Sequence, residues 1–379
     1  MTHAEAVAAA REACKTKIGP SAAEYDRAGT FPERSIQAIR DAKLLGLTAP
    51  TAQGGLGLGP STFVAVVEEI ASACPSTAMI YVMHVCATQV IAGSAHPRKD
   101  ELLRAIARGD HLSTLAFSEK GSRSNFWAPV SQAKKNGTGH VLSAEKSWVT
   151  SAGHATSYVV STRSVESKSP LESSMYLVEK GATGMDVAGA WDGLGMRANA
   201  SAPMKLVGCK VSADAMVCAE GKGFDAMLGV VLPWFQVGAS SVANGIGLGA
   251  LGATAGHLNA AKLEHVGEAL SSLPTVRAQL ARARVRLDAS RAHTAQTARS
   301  LESPDDGTTL LVLESKALAS ETALEVTDAA MRLCGGAAFS RHLPVERLFR
   351  DARAGAVMAP TTDHLYEFIG KALLGIPLF

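Results

Sequence analysis

Few side chains in this sequence stand at spacings that do chemistry unaided. "GLGALG", Gly247 to Gly252, spells the GxGxxG of a dinucleotide-binding turn. Such a turn must follow a strand and open a helix, so that its glycines admit a pyrophosphate to the helix N-terminus. Here the motif lies inside a long small-residue helical stretch, and its glycines are read as surfaces for close helix packing. "GGLGLG", Gly54 to Gly59, ends one helical segment and precedes another, which makes it a turn. The six cysteines (Cys14, Cys74, Cys86, Cys209, Cys218, Cys334) include no CxxC pair. They read as buried, reduced thiols of a cytoplasmic protein, with no metal site. Near the C-terminal end, "TTDHLYEF" sets capping residues before an apolar run, so Thr361, Thr362 or Asp363 is expected to cap a final helix.

The elements that must position any site fall into three blocks. From Ala4 to about Ala107, Ala, Leu, Ile, Glu and Arg recur at helical spacing, broken by "GPSA", "FPE", "GGLGLGP" and "HPRKD". Short alternating or β-branched runs follow: "HLSTLAFSE", "HVLSAEKSWVT", "SYVVSTRS", "SSMYLVEK" and "APMKLVGCKV". The helical signal then returns in Phe224 to Leu263, Ser272 to Ser300, Leu310 to Leu333 and Thr362 to about Leu374. This predicts a helical domain over 1–111, a β domain over 112–221 and a helix bundle over 222–379. Helices, strands, then helices again is not the alternating rhythm of a doubly wound sheet.

With 379 residues, 19% of them charged, and a net charge of +2, the chain shows no electrostatic footprint for nucleic acid or an anionic membrane. The N-terminal "MTHAEAVAAAREACKTK" carries Glu5, Arg11 and Glu12 where a secretory signal is apolar, and is expected to be a helix. The longest apolar runs are interrupted by Gly, Pro or polar residues short of the ~20 that a membrane span needs. No membrane span is expected.

Four strings, in order and in register, resemble the acyl-CoA dehydrogenase family over nearly the whole chain. They are "FPERSIQAIRDAKLLGLTAPTAQGGLGLG" (Phe31 to Gly59), "LAFSEKGSRSN" (Leu115 to Asn125), "KSWVTSAGHA" (Lys146 to Ala155) and "LCGGAAFSRHLPVERLFRD" (Leu333 to Asp351). The resemblance implies an N-terminal helical domain, a middle β-barrel-like domain and a C-terminal four-helix bundle. It also implies FAD as cofactor and a homotetramer.

A flavin ring needs an aromatic wall and hydrogen-bond donors along its edge. Trp148 supplies the wall in this reading, and Thr150, two residues along the strand, is expected on the same side at the reactive edge, with Val149 between them. Phe117 and Ser118 would meet the pyrimidine end, and Ser124 the cofactor or a CoA arm. Gly335 and Gly336 would admit the pyrophosphate closely, as residues without Cβ do. Thr361 is carried over as a further cofactor contact. Two departures stand out. "KLEHVGEALSSL", Lys262 to Leu273, lacks the Arg and Phe of the family's R-x-x-F-G string, and Arg332 replaces the glutamine usual before the Gly pair. Arg332 could still neutralise a diphosphate. His265 is read as a solvated helix residue.

The largest departure concerns the base. Aligning "RDARAGAVMAPTTD" with the family's R-D-A-x-x-x-x-I-Y-E-G-T puts Ala359 at the catalytic glutamate, and a methyl group accepts no proton. "LPWFQVGASSVANG", Leu232 to Gly245, where some relatives carry that acid, has none. Asp363, one turn beyond Ala359, and His84, in "YVMHVCATQV", are the substitute candidates, followed by Glu367; each is also open to a structural reading. Pocket candidates are Val82, His84, Trp127, Phe235 and Met358.

Two reactions remain open. One is oxygenation of an acyl-CoA or other small organic substrate by flavin and dioxygen, supplied by a flavin reductase. The other is desaturation with a relocated base, passing electrons to an electron-transfer flavoprotein. A flavin-binding protein without activity is a third possibility.

Overall fold

The computed structural model describes residues 1–379. Its first block is helical: α1 (His3–Ala13), α2 (Gly19–Ala28), α3 (Glu33–Asp41), α4 (Pro60–Ala73), α5 (Pro75–Gly93) and α6 (Lys99–Arg108). Thr2 opens α1 with a capping box, its side chain accepting from the Glu5 N–H while the Glu5 carboxylate accepts from the Thr2 N–H at 2.7 Å. α5 is apolar on every face and therefore lies at the centre of the molecule.

The middle block holds β1 (Ser113–Ala116), β2 (Lys134–Asn136), β3 (Gly139–Val149), β4 (Ser157–Arg163), β5 (Ser173–Glu179), β6 (Met185–Val187) and β7 (Ala202–Val211). They form two sheets, in the orders β1-β4-β5 and β2-β3-β7-β6, with β1 parallel to β4 and the other neighbours antiparallel. The first sheet is buried on both faces, since β4 and β5 expose only their last residues.

The last block comprises α7 (Gly223–Ala226), a π-helical turn over Met227–Val231, α8 (Leu232–Ala260), a two-residue hairpin β8 (Lys262–Leu263) and β9 (Glu268–Ala269), then α9 (Pro274–Glu302), α10 (Thr308–Cys334), α11 (Gly336–Phe339), α12 (Val345–Val357) and α13 (Thr362–Leu373). His265 thus lies in the turn of a hairpin rather than on a helix.

Two stretches, α5 and Gly223–Ala260, prove long and apolar enough to cross a membrane, because helical backbone continues through the Gly and Pro residues read as interruptions. In α5, 78% of the apolar window is buried against other elements. Two of the "GLGALG" glycines, Gly247 and Gly249, and Gly245 just before them serve close packing, while Gly252 has open space where a Cβ would stand. A Cβ on Gly249 would meet the Ser72 carbonyl at 2.4 Å, and one on Gly245 the Glu68 carbonyl at 2.5 Å, so α8 lies directly against the backbone of α4.

One apolar core joins α1–α6 to α8, α10, α12 and α13, and a smaller one fills the β domain. The segment of α12 running Arg347 to Asp351 ties all three blocks together. Arg350 forks onto the Asp26 carboxylate at 2.7 and 3.1 Å and donates to the Leu194 carbonyl at 3.1 Å. Asp351, next to it, accepts the Met196 N–H at 2.6 Å.

Candidate active site

The ends of β1 and β3 are locked together by a buried ion pair. Lys146 donates to the Glu119 carboxylate at 2.7 Å, to the Ser161 carbonyl at 2.5 Å and to the Phe117 carbonyl at 3.2 Å. Glu119 also accepts the N–H groups of Val130 and Ser131, each at 2.7 Å, and the Ser131 hydroxyl at 2.5 Å. Burial works to raise this carboxyl, but the Lys146 ammonium and the Ser131 donors outweigh it and hold the group below its ordinary range. The pair therefore fixes the strand carrying Phe117 and Ser118 against the strand carrying Trp148.

At the end of β3 the pairing with β7 slips between Lys146 and Val149, and Trp148 adopts a left-handed φ of 57°. That bulge breaks the alternation on which the expected side-chain directions rest. Trp148 is 66% exposed, whereas Thr150 is 4% exposed. The two thus differ sharply in exposure, and strand alternation does not carry from one to the other. The Thr150 hydroxyl pairs with the Ser201 hydroxyl at 3.1 Å, its carbonyl accepts from Thr114 at 2.9 Å, and Val149 is buried.

Trp148 is nonetheless held firmly. Trp191 meets it edge-on with ring centroids 5.5 Å apart, and the Trp191 indole N–H donates to the Met196 carbonyl at 2.9 Å. The Met196 N–H in turn reaches Asp351. Burial pushes the Asp351 carboxyl up to about 6, against the pull of Arg347 and of that N–H. Ser118 is half-buried and its carbonyl accepts the Ser147 N–H at 2.8 Å. Ser124 lies in the turn beyond β1 with a left-handed φ of 68°.

The C-terminal wall is organised by a group that no motif singles out. Lys316, on α10 and fully buried, donates to the carbonyls of Gly355, Met358 and Pro360 at 3.1, 3.0 and 2.7 Å. Burial pushes its ammonium down to about 7, while three carbonyl acceptors favour the charged form. Ala359 rides on the loop so held. Next to it lies an apolar cavity of about 230 Å³ that includes Trp127, Leu232, Leu313, Pro360, Phe368 and Phe379 in its lining.

The substitute bases stand elsewhere. His84 is fully buried, accepting the Ser113 N–H on Nδ1 at 3.1 Å and donating from Nε2 to the Leu45 carbonyl at 3.0 Å. Burial pushes its imidazole down to about 4, and neither nitrogen is free for a substrate proton. Asp363 is exposed in the first turn of α13, and Glu367 is exposed beside Lys371 at 3.8 Å. Thr361 is the cap of α13, accepting the His364 N–H at 3.4 Å.

Of the pocket candidates, Trp127 lines the cavity. Val82 is instead packed in the helical core beside Gly238, and the Met358 carbonyl is bound by Lys316. Phe235 is half-buried against the core.

A flat ring fits this arrangement at one end better than at the other. Trp148 offers a braced, open face beside Ser118, and Gly335, at a φ of 54°, and Gly336 leave open space where a Cβ would stand. Arg332, by contrast, is already paired with Asp328 at 3.0 Å.

Comparison with known proteins covers the same three blocks. Residues 1–110 match the acyl-CoA dehydrogenase N-terminal domain, 114–209 the middle domain and 221–374 the C-terminal domain. The cyclohex-1-ene-1-carbonyl-CoA dehydrogenase of Geobacter metallireducens is 29% identical, over 96% of each chain. Among solved structures, butyryl-CoA dehydrogenase from Megasphaera elsdenii superposes with a TM-score of 0.93 at 22% identity, over 99% of each chain. FMN-bound TdsC from Paenibacillus sp. A11-2 superposes with a TM-score of 0.89 at 23% identity, over 98% of each chain.

Proposed function

Because the chain belongs to the acyl-CoA dehydrogenase family and is an FAD-dependent oxidoreductase with that family's three-domain fold, we propose that its particular reaction is flavin-dependent oxygenation of a small organic substrate, CoA-bound or free. A bound flavin supplies two-electron chemistry, taking a hydride when oxidised and activating dioxygen when reduced. Trp148 would cover one face of the ring, Phe117 and Ser118 would meet its pyrimidine end, and the backbone at Gly335 and Gly336 would admit the diphosphate. The apolar side chains around Pro360 would hold the substrate and exclude water.

The observation that carries the choice of reaction is the chemistry around Ala359. Its loop is gripped by Lys316, whose three donors are all committed to carbonyls. No acid lies between Leu232 and Gly245, Asp363 is exposed, and His84 is saturated. Desaturation needs a carboxylate within ~3 Å of the α-proton, whereas oxygenation does not.

The names of the relatives favour the second reading, desaturation through a relocated Asp363 or Glu367 with an electron-transfer flavoprotein as acceptor. One pair of measurements separates the two. Oxygen uptake in the presence of a flavin reductase, NADH and substrate is expected under oxygenation. Anaerobic bleaching of the yellow protein by an acyl-CoA is expected under desaturation and would end the first reading.

A further inference from the structure

Phe379 touches aromatic side chains from three separate parts of the chain. Its ring centroid lies 5.3 Å from that of Trp127, in the segment between β1 and β2, 5.2 Å from Phe224 of α7 and 5.4 Å from Phe368 of α13. Trp127 and Phe368 line the apolar cavity beside Pro360, and so does Phe379 itself. Phe224 does not, so it backs the Phe379 ring from outside the lining.

Little besides these ring contacts holds that wall. After α13 the chain turns at Gly375, with a left-handed φ of 67°, and the last backbone hydrogen bond of the segment runs from the Ile376 N–H to the Lys371 carbonyl at 2.9 Å. The Leu378 carbonyl accepts only from the Lys371 side chain, at 3.4 Å. Phe379 is 48% exposed. Its ring therefore stands between the cavity and solvent, and a change there alters the cavity without opening the core of the fold.

We propose that Phe379 is a specificity-determining residue, whose ring closes the cavity and limits the size of the apolar portion of the substrate held there. No charged side chain is in the lining, so that portion is neutral, since a buried charge would go unpaired. An apolar cavity of ~150 Å³ takes benzene. The cavity here, at about 230 Å³, accommodates one substituted ring or two fused ones, and a third fused ring would meet Phe379. The assignment rests on the reading that the apolar side chains around Pro360 hold the substrate, and it narrows that substrate's class.

The test is binding without turnover, by equilibrium dialysis of the purified holoprotein against naphthalene and phenanthrene. Apolar area alone would favour phenanthrene, the larger of the two. The native protein is expected to reverse that order, binding naphthalene roughly tenfold more tightly. Phe379→Ala should remove the barrier, so that phenanthrene gains roughly tenfold, naphthalene weakens and the melting temperature barely moves. Should that variant not fold, Phe379→Leu, which keeps an apolar side chain but no ring, should shift the ratio in the same direction.

Phenanthrene binding to the native protein as tightly as naphthalene would overturn the proposal. So would a folded variant that weakens both ligands by the same factor, because a residue that only supports the fold leaves their ratio unchanged. Since no reaction is measured, failure here leaves the oxygen-uptake result standing, and anaerobic bleaching by an acyl-CoA would remove the oxygenation reading while leaving the size limit intact.

Discussion

Trp191 stands edge-on to Trp148, with their ring planes at 86° and the Trp191 N–H tied to Met196. Since Met196 is bound by Asp351 of α12, the wall proposed for the flavin ring is braced from the C-terminal domain. An aromatic pair of this kind contributes about 0.5–1.5 kcal/mol beyond its buried area. Trp191→Ala should therefore weaken flavin retention by roughly two- to tenfold. The readout is flavin content after dialysis together with flavin fluorescence, with circular dichroism unchanged. Trp191→Phe keeps a ring but loses the N–H and should fall between.

The buried pair Glu119–Lys146 joins the two strands beneath that wall. Removing one partner of such a pair strands a charge and costs about 3–5 kcal/mol. Lys146→Met is expected to show a loss of that order in urea denaturation. Adding Glu119→Gln should recover part of it, because the remaining carboxamide can still accept from Ser131 without carrying a charge.

The contrast between Trp148 and Thr150 shows what a sequence conceals. Long helices and long strands announce themselves by periodicity, and α8, α9, α10, β3 and β7 were legible for that reason. β2 and β6, of three residues each, and the hairpin β8–β9 are too short to display a period. The bulge at Trp148 is a backbone event with no compositional mark, so strand alternation could not show that Trp148 would be open and Thr150 buried. Lys316 was hidden differently. In "LLVLESKALASE" it looks like any solvated helix lysine, and only the folded end of α12 with the residues after it supplies the carbonyls that make it an anchor. The cap at Thr361 was legible because its partner is local.

Acid should unfold the protein in two stages. Burial holds both His84 and His111 down to about 4 from an ordinary 6.5. Between those values the unfolded chain takes up protons that the native state refuses, so stability falls as pH drops from about 6.5 to about 4. The slope is roughly 1.4 kcal/mol per pH unit for each histidine. Glu119 adds to the loss only below its ordinary value of 4.5, because its folded carboxyl is depressed. Asp351, whose folded carboxyl is raised to about 6, works the other way below that value, so the net fall is clearest between pH 7 and 6. Urea midpoints at pH 7, 6.5 and 6 measure it, and His111→Gln should make that slope shallower.

Lys316→Met removes the donors from three carbonyls at once, two of them, Met358 and Pro360, on either side of Ala359. Losing a buried charge offsets part of that, so a net destabilisation of about 2–4 kcal/mol is expected. Lys316→Arg should not rescue it, since a planar guanidinium cannot direct three donors to the same converging carbonyls. Hydrogen exchange over residues 355–359, the last turn of α12 and the segment after it, reports the loosening directly in the folded variant.

Ala359 is half-buried on a loop whose backbone is gripped from behind, so a carboxylate placed there would be held near the cavity rather than swing free. If the missing base is what separates this protein from a desaturase, Ala359→Glu should gain anaerobic bleaching by an acyl-CoA that the native protein lacks. Desolvation would raise the new carboxyl, so the gain should increase with pH through the range just above an ordinary glutamate. Asp363→Asn provides the opposite control. It leaves the exposed first turn of α13 intact, because Thr361 is the cap, and should change neither native activity nor the gained bleaching. Bleaching in the native protein that disappears in Asp363→Asn would instead make that exposed carboxylate the relocated base, and oxygenation would give way to desaturation.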